Sequence, residues 1–228
     1  VLIVAGGKGL RMGGDLPKQF IPMRGKPLLM HTLEAFHRWD ASARIILVLP
    51  EDHQPYWNML CKEIGCKVPH AIVKGGDTRF FSVKNGLDWL LAERRRKGEE
   101  DSGLSLVAVH DGVRPFVSPE VVEACFDKAA VTGAVIPVVP MIDSLRETDE
   151  KGSHPVDRSR YMAVQTPQVF LLELLTKAYE QPYSSLFTDD ASVVEAMGHA
   201  IDTVPGDREN IKITTPFDLL IAEAMFAR

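Results

Sequence analysis

The residues able to do chemistry gather where apolar runs end. Val1–Val4 leads straight into AGGKGLRMGG and then LPKQF. Glycines in such a turn let backbone N–H groups close around an anion. Arg11 and Lys18 can add charge-assisted hydrogen bonds to the same anion. Two well-known phosphate signatures are nonetheless missing. A P-loop requires G-x-x-x-x-G-K-[ST], and no Gly-Lys pair here precedes Ser or Thr. A dinucleotide fingerprint requires G-x-G-x-x-G; Gly7-Lys8-Gly9 begins one, but Met12 stands where the third glycine belongs. The stretch is therefore read from its physics alone, as a phosphate cradle built on Gly6, Gly7 and Gly9 with two cations beside them.

Two more run ends carry glycine and charge. Ala71–Val73 leads into KGGDTRFFS, and Leu104–Val109 into HDGVRP. The latter puts a carboxylate, Asp111, close before a guanidinium, Arg114. Asp111 could take Mg²⁺ or a substrate hydroxyl. His110 is read as structural, because strand alternation turns it away from Asp111. Far along the chain, Lys212 lies between two isoleucines in NIKIT, which reads as a short strand and is an odd place for a surface lysine.

These groups need a scaffold, and the chain alternates in a way that supplies one. Apolar runs at Val1–Val4, Ile45–Leu49, Ala71–Val73, Leu104–Val109 and Ala134–Val139 are separated by helical patterns. Leu29, Leu33 and Phe36 follow Pro27, a good first-turn residue. Val83, Leu87, Leu90 and Leu91 mark a second helical face, and Ser118-Pro119 opens a third helix with Ser118 as N-cap. Thr188 reads as the cap of DDASVVEAMG, with Gly198 as its stop. HAIDTVPG reads as a short strand, and Thr215 and Pro216 open a terminal helix. The expected fold is α/β: a Rossmann-like, mainly parallel twisted sheet with helices on both faces, in one domain spanning residues 1–228. Ligands of such sheets bind beyond the carboxyl ends of the strands, where the glycine-bearing turns lie.

After Pro140 the alternation stops. MIDSLRETDEKGSHPVDRSRYMAVQTPQVF is polar, with a turn signal at Asp149–Gly152. It is expected to form a protruding β-hairpin arm at roughly 140–162. A lone hairpin is marginal in water, so a second subunit is the simplest cover for it.

Bulk properties narrow the classes. A net charge of −5 disfavours a general nucleic-acid binder, yet allows an anionic ligand where a few cations are focused in a cleft. No apolar run approaches the roughly 20 residues that span a bilayer. No basic segment precedes the first apolar run, which reads as a buried strand and not a signal peptide. Cys61, Cys66 and Cys125 form no disulfide or zinc framework and point to reduced thiols in a cytoplasm. The ERRRK run at residues 93–97 is expected to end a helix, where positive charge suits the dipole.

AGGKGLRMG followed by LPKQF resembles the signature of nucleotidyltransferases that activate sugar and alditol phosphates. KGGDTRFFSV, VHDGVRP, PVDRSRYMAVQTPQVF, TDDAS and ENIKITTPFDLLIAE each resemble blocks of the 2-C-methyl-D-erythritol 4-phosphate cytidylyltransferase family. Their order and approximate spacing match over essentially the whole chain. The resemblance implies cytidylyl transfer from CTP to the alditol phosphate, release of pyrophosphate, a need for Mg²⁺ or another divalent cation, and a homodimer interlocked by its arms. It implies Arg11, Lys18 and Lys212 as the catalytic cations. It implies a CTP site of Ala5, Gly6, Gly7, Gly9, Gly76, Asp77, Ser82 and Gly112, with Arg79 placed to order this loop or Asp77. It implies that Asp111, Arg114, Ser144, Arg158 and Thr166 bind the alditol phosphate, with Ser144 standing where the family often has threonine. Lys8 is not required by the pattern. A ribitol 5-phosphate cytidylyltransferase would share the CTP half. A non-catalytic nucleotide-binding protein would lack cations at the reaction centre, and here all three are present.

Overall fold

The computed structural model describes residues 1–6, 16–99, 104–150 and 152–227. Four parallel strands form the half of the sheet that faces the glycine-bearing turns: β1 (Leu2–Val4), β4 (Ile46–Leu49), β5 (Ala71–Lys74) and β6 (Leu106–Asp111), in the order β6-β1-β4-β5. Short hairpin strands β2 (Pro22–Met23) and β3 (Lys26–Pro27) lie outside this sheet. The other half is built on β7 (Ala134–Pro140). β12 (Asp202–Pro205) runs parallel to it, while β10 (Met162–Val164) and β11 (Gln168–Leu171) run antiparallel. β11 also pairs with β6, joining the halves into one eight-stranded sheet.

Strand alternation sends successive side chains to opposite faces. Ile3, Leu47 and Ala108 go to one core, with α1 (Leu28–Trp39), α2 (Gln54–Ile64) and α4 (Pro119–Thr132). Leu2, Ile46, Val48, Val107 and Val109 go to the other, under α3 (Arg79–Lys97), α5 (Leu172–Ala178) and α6 (Asp190–Glu195). The strands are buried on both faces and so read as continuous apolar runs. The terminal helix α7 (Pro216–Phe226) closes a smaller core with Leu28, Val113 and Ile213.

Helix starts follow capping chemistry. Ser118 accepts from Val121 N, and Thr215 forms a capping box with Asp218. Arg94, Arg95, Arg96 and Lys97 fill the last turn of α3, and Gly98 ends it in the left-handed conformation.

Three expectations need correction, and one helix was missed. The cap of α6 is Asp189, whose carboxylate accepts from Ser192 N, so the helix starts one residue later than Thr188 would require. NIKI is not a strand: residues 210–213 are irregular and held by side chains. The helix α2 was not anticipated. Finally, only part of the polar stretch leaves the body. Its hairpin, β8 (Arg146–Asp149) with β9 (Gly152–Pro155), is exposed throughout, but the chain then returns as β10 and β11.

Candidate active site

The carboxyl ends of β1, β5 and β6 open on one edge of the sheet. At β1, Ala5 N donates to Val48 O, which fixes the backbone just before Gly6. Gly7, Gly9 and Arg11, together with Lys8, fall outside the described residues. Lys18 belongs to the short helical turn Lys18–Phe20. Its neighbours anchor that turn. The buried Gln19 amide donates to Ala5 O at 3.0 Å and to His53 Nδ1 at 3.3 Å. Phe20 packs against His53, Tyr56 and Trp57.

After β5, Gly75 N donates to Leu49 O and Gly76 N to the Ser82 hydroxyl at 3.1 Å. Ser82 is buried and donates in turn to Thr78 O at 2.9 Å. A Cβ on Gly76 would lie 2.4 Å from that of Phe81, so this tight turn admits no side chain. Thr78, not Asp77, caps α3, which leaves Asp77 exposed on the rim. Ala5, Gly6, Lys18, Gly76, Asp77, Ser82, Asp111 and Lys212 thus line one cleft of about 300 Å³.

The end of β6 holds the charged centre. Asp111 Oδ2 lies 3.0 Å from Lys212 Nζ and 3.2 Å from Arg114 Nε, and Oδ1 lies 3.9 Å from Arg79 Nε. Burial alone would raise the Asp111 carboxyl, but Lys212, Arg79 and Arg114 outweigh it and hold the acid well below the ordinary range. Asp111 is therefore a carboxylate at any physiological pH. Gly112 lines neither this cleft nor its neighbour. Its N–H donates to Val4 O, and a Cβ there would meet Ala5 Cβ at 2.8 Å, so it lets β6 and β1 close together behind the site.

His110, read from the sequence as structural, is buried and neutral. Its Nε2 faces Arg114 O, which can only accept, so Nε2 carries the proton and Nδ1 accepts from the Thr166 hydroxyl at 3.0 Å. Desolvation pushes the imidazole down to about 4. The Thr166 oxygen also accepts from Asp111 N at 3.1 Å. Thr166 thus lines the site while its hydroxyl orients Asp111.

Lys212 rides on an irregular segment pinned from three sides. Arg114 Nη1 donates to Asn210 O at 2.8 Å, and Ile213 N to Val113 O. The Asn210 amide donates to Thr166 O at 2.8 Å. Gln165 grips both backbone groups of Asp207, donating to its carbonyl and accepting from its N–H. Sequence reading missed Gln165 and Asn210, because nothing local ties them to a lysine.

A second cleft, also of about 300 Å³, lies beside the first and is lined by Arg114, Thr166, Thr188 and Asp189 among others. The two clefts share Arg79, Asp111 and Lys212 as a common wall. Arg79 was expected to order this loop or Asp77; its guanidinium makes two bonds to Asp190, at 2.9 and 2.6 Å. A cation at the first position of a helix opposes the dipole, and that misplacement was the sequence signal for it. Ser144 and Arg158 lie on the arm, exposed, and line neither cleft of their own chain. Arg158 there donates to Ile142 O. A roomier cleft, about 720 Å³, is on the opposite edge of the sheet, between Leu91, Leu104 and Leu172.

Among the described residues no three His, Cys, Asp or Glu side chains converge as a metal cage. Mg²⁺ does not need one, since it commonly takes one or two carboxylates and completes its shell with substrate phosphates and water. Asp111, ionised at the wall of the first cleft, fits that requirement as a single protein ligand. Among the described residues no helix is long and apolar enough to cross a membrane.

The family model described as IspD, 2-C-methyl-D-erythritol 4-phosphate cytidylyltransferase, matches residues 1–228. A protein of that name from Bacteroides fragilis is 56% identical over 224 residues, covering 98% of this chain and 97% of its own. One from Porphyromonas gingivalis is 52% identical, covering 98% and 96%. The crystal structure of the enzyme of that name from Thermus thermophilus superposes with a TM-score of 0.75 at 30% identity, over 100% of this chain and 98% of that one.

Proposed function

The chain belongs to the 2-C-methyl-D-erythritol 4-phosphate cytidylyltransferase family, and from that premise we propose how its two clefts divide the reaction. The protein transfers the cytidylyl group of CTP to 2-C-methyl-D-erythritol 4-phosphate and releases pyrophosphate. In our reading CTP occupies the cleft of Ala5, Gly6, Gly76, Asp77 and Ser82. The methylerythritol phosphate occupies the cleft of Arg114 and Thr166. The observation that carries this reading is the shared wall: Lys212 and Asp111 stand where the two ligands must meet.

An oxygen of the methylerythritol phosphate attacks the α-phosphorus of CTP. One P–O bond forms as the bond to the bridging oxygen breaks, and pyrophosphate carries the electron pair away. The nucleophile is already an anion, so no general base is required. The protein's work is to bring two anions together and to stabilise the charge that grows between them. Lys212, with Arg11 and Lys18 on the triphosphate side, is assigned that work. Asp111 holds Lys212 in place and presents its carboxylate to a substrate hydroxyl or to Mg²⁺. The cation, when bound, neutralises triphosphate oxygens and favours departure of pyrophosphate.

We further assign the arm to a homodimer. Ile142, Tyr161, Met162 and Val164 expose apolar surface beside the hairpin, and β10 lies at the sheet edge. A second copy covering this surface would receive Ser144 and Arg158 at its own alditol phosphate cleft. The chain's chemistry suits a cytoplasmic enzyme.

The test is pyrophosphate release with CTP and Mg²⁺, offering methylerythritol phosphate beside ribitol 5-phosphate. Lys212→Ala is expected to lower kcat by about 100-fold or more, as loss of one transition-state donor commonly does. Near-normal turnover would remove Lys212 from the reaction, and a preference for ribitol phosphate would reassign the second cleft.

A further inference from the structure

Arg79 is gripped from behind by groups that no part of the reaction above employs. Asp190, the first residue of α6, is fully buried and takes both Nη groups of Arg79. The Tyr179 hydroxyl donates to the same carboxylate at 2.6 Å. Tyr179 is 2% exposed and stacks on Phe80, the residue next to Arg79. Gln168 on β11 clamps the start of α6, donating to Asp189 Oδ2 and accepting from Ala191 N. A continuous polar chain thus runs Tyr179, Asp190, Arg79, Asp111. It links two helix starts and a helix end to the common wall of the clefts.

The charge balance gives this chain a purpose. Three cations surround Asp111, and it cannot serve all three equally. Asp190 takes the charge of Arg79 at 2.6 Å, and Arg79 then stays 3.9 Å from Asp111. Lys212 and Arg114 have the closer contacts at 3.0 and 3.2 Å. Without the buried carboxylate, Asp111 would be the nearest anion for Arg79, and that pairing would draw Asp111 from Lys212.

We propose that Asp190 is a positioning residue for cytidylyl transfer: by holding Arg79 in a two-point bond, it keeps Asp111 turned to Lys212 and Arg114 at the boundary between the clefts. This rests on the reading that Lys212 and Asp111 mark the reacting centre. A purely structural ion pair would staple α3 to α6 and have no bearing on the rate.

Two variants separate these roles. In Arg79→Met/Asp190→Leu the buried pair is replaced by apolar side chains of similar size, an exchange that often preserves stability. In Asp190→Asn, Arg79 is retained but its charge is no longer matched. Thermal melting, CTP binding by equilibrium dialysis, and kcat and KM from pyrophosphate release are measured for both, with Lys212→Ala alongside. Asp190→Asn, which leaves Arg79 free to compete for Asp111, is expected to lose about tenfold or more in kcat while still binding CTP. The double variant, which removes the competing cation as well, is expected to melt close to the unmodified protein and to turn over about tenfold faster than Asp190→Asn. If Asp190→Asn does not fold, Asp190→Glu, which displaces Arg79 but keeps its counter-charge, takes its place in the comparison. An unchanged kcat in the folded single variant overturns the proposal. A double variant no faster than the single variant also overturns it, because Arg79 would then act on substrate directly. An active Lys212→Ala would sink the reading of the reacting centre itself, a failure visible separately from that of Asp190.

Discussion

Asn210→Ala probes how an irregular segment holds a reactive lysine. Asn210 is fully buried and lines neither cleft, so its loss removes no ligand contact. Its amide donates to Thr166 O at 2.8 Å, and its own Oδ1 has no partner. Truncation deletes that hydrogen bond and a weaker one to Gln165 Oε1 at 3.5 Å, and strips a buried carbonyl of its donor, a cost of about 1–3 kcal/mol. Removing the orphaned Oδ1 returns part of this, leaving a net loss of roughly 2 kcal/mol. For a chain of 228 residues that corresponds to a fall in Tm of about 4–8 °C. The larger effect should be on rate. Lys212 is two residues away, and a displacement of about 1 Å can cost of the order of 100-fold. We expect kcat to fall by about 10- to 100-fold while CTP affinity holds, since Gly76 and Ser82 are untouched. Differential scanning calorimetry and initial-rate pyrophosphate release read both quantities. Unchanged kcat in a variant with lowered Tm would refute the claim that Asn210 sets the place of Lys212. An unchanged Tm would refute the buried hydrogen bond itself.

Stability should decline on mild acidification. His110 titrates at about 4 in the folded chain, chiefly through desolvation, and near 6.5 once unfolded. Between those values the unfolded state takes up a proton that the folded state refuses, so stability falls as pH drops from about 6.5 towards 4, by up to about 3 kcal/mol. His31 and His70 are also lowered by burial and act in the same direction. Urea unfolding at a series of pH values measures the slope; a flat profile would contradict a buried neutral imidazole. On the arm, Met162→Asp puts a charge into exposed apolar surface at the sheet edge. It is expected to shift sedimentation from dimer towards monomer and to lower activity, whereas an unchanged sedimentation coefficient would dissociate this surface from assembly.

The half of the molecule that carries the first cleft was readable because parallel strands buried on both faces leave continuous apolar runs. Their charged ends then stand out, as at Asp111. The rest was hidden for particular reasons. Helix α2 buries little besides Trp57, so its apolar stripe is faint. β11 begins with Gln168, whose buried amide is satisfied by Asp189 and Ala191, and no local pattern reveals such a partnership. Isoleucines flanking Lys212 imitate strand alternation, yet Ile213 packs with Leu28 and Val113 under α7 while side chains hold the backbone. Thr188 and Asp189 are both cap-forming residues, and only the packing of α6 decides between them. Of the expected cations, Lys18 and Lys212 line one cleft, but the way the charges pair was not legible. Arg79 and Asp190 are 111 positions apart, and the expected link from Arg79 to its own loop or Asp77 followed sequence proximity instead.

The role of Asp111 follows from why like charges can be assembled at all. Arg79, Arg114 and Lys212 would repel one another in a partly buried cleft and move apart unless an anion held them. A single buried carboxylate, kept ionised by those same cations, supplies that anion. Asp190 supplies a second, for Arg79. Five charges then sum to one positive, in a chain whose total is −5. The positive field is therefore local to the wall between the clefts, where we propose that the two phosphates meet, and the chain as a whole would repel them. Because transfer needs little beyond alignment and charge stabilisation, fixing these cations in advance does the part of catalysis that falls to the protein. Asp111 is on this argument first an organiser of cations, and a ligand for substrate or Mg²⁺ second.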